Sequence, residues 1–139
     1  MDLCLHHIGI LVKDISQATT TYKMRFGYEI KSDVVHDPFQ TAYVQFLKLP
    51  NGSDYVEFIS PDGPKSKLTN ALKKGGGLNH LCYMTDDIDS ACEELRATGM
   101  YLLQPPVDAV AFKGRRIAWL MGREMIPTEL VERGEKNQI

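Results

Sequence analysis

The stretch His7-Ile8-Gly9-Ile10-Leu11-Val12-Lys13-Asp14-Ile15 decides how this chain folds, because it comes twice. Its second copy, His80-Leu81-Cys82-Tyr83-Met84-Thr85-Asp86-Asp87-Ile88, lies 73 residues further on. In that register Asp14 falls on Asp87, Ile15 on Ile88 and Ala18 on Ala91. After one deletion the offset becomes 72, which brings Gly27 onto Gly99 and Glu57 onto Glu129. Chance accounts for any one match more easily than for all of them in order. The chain is therefore an internal repeat.

Each copy reads outward in the same way. An apolar run, Leu3–Val12 or Leu78–Thr85, is too short for a typical helix and has polar flanks, so it is a strand. Asp14 and Asp87 then stand where a helix N-cap belongs, and Gln17 three residues after Asp14 suits a capping box. Apolar residues recur at helical spacing, as Ile15, Ala18, Tyr22 and Phe26, and as Ile88, Ala91 and Leu95. Gly27 and Gly99 suit the left-handed position that closes a helix. Three more strands follow in each half: 28–33, 41–49 and 54–60, then 100–103, 115–121 and 128–132. Asn51-Gly52 marks a turn between two of them. Residues 61–77 begin Pro-Asp-Gly-Pro and end Gly-Gly-Gly, which makes them a connector with a short helix at 66–74. The expected architecture is α+β: a single domain, 1–139, with two β-α-β-β-β modules at 3–60 and 78–133.

Composition narrows the function. A chain of 139 residues with 43% apolar and 24% charged content can bury a core as one domain. A net charge of -2 leaves no footprint for nucleic acid. No apolar run approaches the ~20 residues of a membrane span, and the N-terminal residues lack the basic and long apolar parts of a signal peptide, so a cytoplasmic protein is expected. Cys4, Cys82 and Cys92 are odd in number and form no CxxC, as befits reduced, mostly buried thiols.

The chemistry rests on four positions. Period-2 alternation places His7 on one strand face with Gly9 and Leu11, opposite Ile8 and Ile10. Glu57 sits in mid-strand between Val56 and Phe58, and Glu129 precedes Leu130 and Val131. A carboxylate inside a strand is costly to bury unless it is paired, protonated or bound to a cation. Two such carboxylates and two histidines at repeat-equivalent positions point to a shared cation. Two imidazoles and two carboxylates suit Zn, Ni, Co, Mn or Fe(II) better than thiolate-loving metals, and leave coordination positions for substrate.

The remaining polar candidates carry less. His6 aligns with Asn79 and is read as a non-ligand. So is His36, expected in a loop beside Asp37-Pro38, although a place lining a pocket suits it. Tyr43, Phe46, Tyr83 and Trp119 lie on strands facing either core or cavity, with core the default for each. Lys113, Arg115 and Arg116 form a basic turn whose default is a solvated surface, with phosphates or carboxylates of a carrier as the alternative partners.

The pattern resembles the vicinal oxygen chelate superfamily, which includes glyoxalase I and methylmalonyl-CoA epimerase. The similarity spans residues 5 to 133. It rests on the first repeat copy, Val56-Glu57-Phe58-Ile59-Ser60-Pro61, Gly76-Gly77-Leu78-Asn79-His80-Leu81-Cys82-Tyr83, and Thr128-Glu129-Leu130-Val131-Glu132. The resemblance implies paired modules whose curved mixed sheet surrounds one divalent ion (Zn, Ni, Co or Mn) held by His7, Glu57, His80 and Glu129. It implies a homodimer, and either one chain or two can supply the four ligands. It further implies an isomerase or lyase that abstracts a proton next to a carbonyl, with Glu129 as base and Glu57 as second choice. The substrate would be an acyl-CoA or a glutathione hemithioacetal. Gly76–Cys82, Asp86–Asp89 and Gly114–Leu120 look closest to the epimerase branch. The turn Met121–Pro127 departs from that branch. Gln45 stands nearest to where some epimerases carry a second basic Glu, and is expected on a solvent face or hydrogen-bonded to substrate. Glyoxalase I proper, an Fe(II) dioxygenase and a metal-free drug-binding module are the competing members.

Overall fold

The computed structural model describes residues 1–135 and 138–139. Its elements run β1 (Leu3–Leu11), α1 (Ile15–Phe26), β2 (Glu29–Ile30), β3 (Val35–Asp37), β4 (Ala42–Lys48), β5 (Tyr55–Pro61), α2 (Thr69–Lys73), β6 (Gly77–Thr85), α3 (Ile88–Ala97), β7 (Tyr101–Asp108), β8 (Arg116–Met121) and β9 (Pro127–Glu132). They form two compact units. One is His7–Asn79; the other joins His80–Ile139 with Met1–His6. The first six residues thus belong with the second repeat, a membership that local sequence pattern does not carry.

In the unit His7–Asn79, β1 runs parallel to β5, with Gly9 opposite Glu57. β4 lies antiparallel on the other side of β5 and places Phe46 opposite Glu57. The short β2 and β3 both pair with β4. Alternation then sorts the faces. Leu47, Val56 and Phe58 pack with Ile15 of α1, and Ile10, Ala18 and Tyr22 close around them. His7, Phe46 and Glu57 take the opposite face.

The unit of the second repeat copies this plan. β6 runs parallel to β9, with Cys82 opposite Glu129. β8 is antiparallel to β9 and sets Trp119 opposite Glu129, while β7 pairs with β8. Ala118, Leu120 and Leu130 pack under α3 with Ile88, Ala91 and Cys92. His80, Trp119 and Glu129 occupy the other face.

The expected caps are present. Asp14 accepts the Gln17 backbone N–H at 3.1 Å, and Asp87 accepts that of Ser90 at 3.0 Å. Gly27 closes α1 at φ +79, and Gly99 follows α3 at φ +103. Replacing Asp87 with Ala leaves the first turn of α3 short of an acceptor. We expect a loss of about 1 kcal/mol, read from the urea midpoint at unchanged m-value. An unmoved midpoint would show that the cap contributes nothing.

Three elements differ from the sequence expectation. The strand expected at 28–33 is split into β2 and β3, because Ser32 interrupts the ladder: its hydroxyl accepts the Phe46 backbone N–H at 2.9 Å. β7 is longer than expected and runs through Pro105-Pro106. It pairs only with β8 among the described residues, with register shifts at Gln104, and an edge strand tolerates residues that lack an N–H. The connector helix covers Thr69–Lys73 alone. Ser66 is engaged instead in a turn, its hydroxyl donating to the Thr41 carbonyl at 2.7 Å and accepting from the Leu68 N–H at 3.1 Å. No helix of the described residues is long and apolar enough to cross a membrane.

Candidate metal centre

Each unit carries one buried imidazole beside one buried carboxylate. In the first, His7 Nε2 lies 3.4 Å from Glu57 Oε1, with the residues 0% and 1% exposed. In the second, His80 Nε2 lies 3.4 Å from Glu129 Oε2, at 0% and 2% exposure. The histidine comes from the first strand of its unit and the glutamate from the last. The parallel pairing of those two strands sets the glutamate opposite the residue two beyond the histidine, on the same face.

A third residue completes each set. The Phe46 ring meets the His7 ring edge to face at 5.1 Å and 77°. Trp119 meets His80 at 4.8 Å and 71°. Phe46 and Trp119 are themselves 73 residues apart, the offset that relates the histidines. By sequence both face either core or cavity, with core the default. The register of 72 at this point of the repeat puts Phe46 on Ala118, so only the strand pairing, Phe46 opposite Glu57 and Trp119 opposite Glu129, marks the two as equivalent ring supports that hold each imidazole at one orientation.

The donor set fits a divalent ion. A charge-assisted N–H···O bond would close to about 2.7–2.9 Å. Two ligand atoms each ~2.1 Å from one ion at a tetrahedral angle lie ~3.4 Å apart. The 3.4 Å separation in both units is therefore what ligands of a metal adopt. A divalent ion is one of the ways, with pairing or protonation, in which a carboxylate buried as deeply as Glu57 and Glu129 is accommodated.

The other candidates go elsewhere. His6 is buried against Phe112, ring edge to face at 5.3 Å. His36 lies on β3, not in a loop; it is exposed and 2.9 Å from the Asp62 carboxylate, with its ring tilted on Tyr43. Tyr43 is itself exposed, contrary to its expected core place, because it faces outward on β4. Tyr83 packs on the core beneath α3 as expected. Gln45 is not on a solvent face. It is buried, its Oε1 accepts the Thr19 hydroxyl at 3.0 Å, and its Nε2 donates to the Ser32 carbonyl at 3.1 Å. Both ends are thus engaged in tying β4 to α1 and to residue 32, which leaves Gln45 a structural part. Cys82 and Cys92 are buried, whereas Cys4 is exposed. Burial pushes the Cys92 thiol up, as suits an inert core residue.

The basic turn divides. Arg116 points to the helix side, where pairing with Asp89 at 2.9 Å and Glu132 at 3.2 Å holds its guanidinium protonated beyond the usual range. Arg115 is buried, and Lys113 is exposed.

Residues 6–119 match the family model of the glyoxalase/bleomycin resistance protein/dioxygenase superfamily, and the chain belongs to that superfamily. The chain is similar to the ethylmalonyl-CoA/methylmalonyl-CoA epimerase of Cereibacter sphaeroides, 29% identical over 118 residues, covering 84% of this chain and 86% of that protein. It is also similar to the mitochondrial methylmalonyl-CoA epimerase of Dictyostelium discoideum, 30% identical over 134 residues, covering 95% and 78%. Among solved structures, the Streptomyces coelicolor methylmalonyl-CoA epimerase in complex with 2-nitronate-propionyl-CoA aligns at TM-score 0.80 and 25% identity, over 94% of this chain and 97% of that one. The Mycobacterium tuberculosis epimerase aligns at 0.83 and 24% identity, over 94% and 88%. The α+β fold is the glyoxalase-like fold of those epimerases.

Proposed function

We propose that this chain is a metal-dependent epimerase that moves the proton on the carbon next to the carbonyl of a methylmalonyl-type acyl-CoA. The observation that carries it is the pair of repeat-equivalent, buried His–Glu pairs, His7–Glu57 and His80–Glu129, each at 3.4 Å. The similarity to proteins named as acyl-CoA epimerases supports the substrate class over a glutathione adduct.

His7, Glu57, His80 and Glu129 would hold one divalent ion, Zn, Ni, Co or Mn. When bound, that ion supplies Lewis-acid stabilisation of the negative charge that develops on the thioester oxygen as the proton leaves. Phe46 and Trp119 orient the two imidazoles and keep water from them. Glu129 takes the proton, a task for a carboxylate within hydrogen-bond reach of the carbon acid. Glu57 is the second candidate. Epimerisation also asks that a proton return to the opposite face, so two carboxylates from opposite repeats suit it better than one. On this reading the protein works as a single-domain, cytoplasmic homodimer.

A paired assay tests the proposal. With methylmalonyl-CoA in D2O, α-carbon exchange should appear and rise with added divalent metal. With methylglyoxal and glutathione, no lactoyl product should form. The reverse pattern would make the chain a glyoxalase I. Silence in both assays by a metal-loaded protein would sink the isomerase proposal.

A further inference from the structure

The unit that carries His80 and Glu129 keeps a hydrogen-bond donor that ring packing does not call for. Trp119 packs its indole on the His80 ring and stands opposite Glu129. In the unit of the first repeat, the ring packed on His7 and opposite Glu57 is Phe46, which has no polar side-chain atom. Holding an imidazole therefore needs an aromatic ring but not an N–H.

The indole N–H is also withdrawn from water. Trp119 is 9% exposed, and among the described residues no acceptor lies within hydrogen-bond distance of its Nε1. A buried donor without an acceptor costs stability, and a buried tryptophan N–H ordinarily finds a partner. One that does not calls for a reason, and a ligand that brings the acceptor supplies it.

The neighbouring strand is arranged around the same ring. On β7, Tyr101 stands opposite Met121 and Leu102 opposite Leu120, but Gln104, not Leu103, stands opposite Trp119. The irregularity at Leu103 thus advances β7 by one residue and sets an amide beside the indole in place of an apolar side chain. Paired residues share a face, so Glu129, Trp119 and Gln104 form one row across β9, β8 and β7. At about 4.8 Å between strands the row spans about 10 Å, so a short acyl group whose α-carbon meets Glu129 has the indole as its next neighbour. Among the described residues the Gln104 side chain bonds only to the Pro105 carbonyl, one residue on, at 3.2 Å. A change of its rotamer breaks nothing else and opens the indole edge to a ligand.

We propose that the Trp119 indole N–H donates a hydrogen bond to an oxygen of the substrate's acyl group, either the thioester oxygen or that of a free carboxylate. That the ligand is an acyl-CoA rests on the proposed epimerase function. A donor on the thioester oxygen strengthens as negative charge gathers there and so lowers the barrier, whereas one on the carboxylate holds ground and transition states alike.

The chain has one tryptophan, so its indole N–H gives one signal in the N–H correlation NMR spectrum of nitrogen-labelled, zinc-loaded protein. That signal is followed during titration with methylmalonyl-CoA and, separately, with propionyl-CoA, which keeps the thioester and lacks the carboxylate. It should move downfield, and its exchange with water should slow. A response to propionyl-CoA assigns the acceptor to the thioester, and a response to methylmalonyl-CoA alone assigns it to the carboxylate. The companion variant is Trp119→Phe, which keeps a ring on His80 and loses the N–H, compared with wild type at equal zinc content. With a thioester acceptor its kcat for α-carbon exchange should fall about 10²–10³-fold, as on loss of an oxyanion donor. With a carboxylate acceptor KM should rise while kcat holds. Should the variant fail to fold, the wild-type spectrum decides alone. An unmoved signal in a protein that exchanges deuterium, or a Phe variant with unchanged kcat and KM, refutes the donor and leaves the epimerase standing. An unmoved signal in a protein that exchanges none refutes both. A shift without exchange keeps the donor and removes the epimerase.

Discussion

Glu129→Gln should slow deuterium exchange at the α-carbon of methylmalonyl-CoA by about 10²–10⁴-fold, the usual contribution of a positioned general base. The amide has the volume of the carboxylate and keeps one oxygen toward His80, so β9 should hold its register with Trp119 and Cys82. What it cannot do is accept a proton. Two roles are claimed for Glu129, ligand and base, and excess metal separates them. A residue that is only a ligand would show weakened metal binding and a rate restored at saturating metal. A base would show a rate that stays low when metal content, measured by elemental analysis, is full. Recovery of the rate by metal would remove Glu129 from the base role and leave Glu57 as the remaining candidate. The Glu57→Gln variant is the companion measurement, because exchange from a single face can survive it while full epimerisation does not.

Glu57→Gln should have opposite effects on stability with and without metal. In the metal-free protein Glu57 is 1% exposed, between strands that present Gly9 and Phe46. Neutralising it removes a desolvation penalty. The metal-free variant should therefore be more stable than metal-free wild type by about 1–3 kcal/mol, read from denaturant midpoints. Metal reverses the order. A ligand that binds only the folded state at ~1,000 times its Kd adds about 4 kcal/mol, and the variant forfeits most of that gain. A metal-free variant less stable than metal-free wild type would make His7–Glu57 a structural ion pair, since breaking such a pair costs stability. The 3.4 Å separation already argues against that, being longer than a charge-assisted bond.

Much of this site was legible before any coordinates. Alternation alone separates His7 from Ile8 and Ile10, and the offsets of 73 and 72 select His7 over His6 and pair Glu57 with Glu129. Phe46 and Trp119 were not legible in this way, because the offset of 72 between Gly27 and Glu57 puts Phe46 on Ala118, and only the strand pairing sets each aromatic opposite its glutamate. Arg115 and Arg116 show where local pattern ends. Adjacent strand residues point to opposite faces, so one arginine meets Asp89 and Glu132 while the other is buried against Phe112. Nothing in their own neighbourhood says which. Gln45 is a similar case, since its partners Thr19 and Ser32 lie 26 and 13 residues away.

The sequence by itself determined the repeat, the two capped helices, the strand faces and the His–Glu pair within each half. These follow from short-range stereochemistry: a period of 2, a period of 3.6, and capping chemistry set by the residues themselves. Only the tertiary structure decided that Met1–His6 joins the second unit, that Gln45 is buried, and that Arg115 is buried against Phe112. Those outcomes depend on which distant backbone groups reach a side chain once the strands are paired. No local period encodes them.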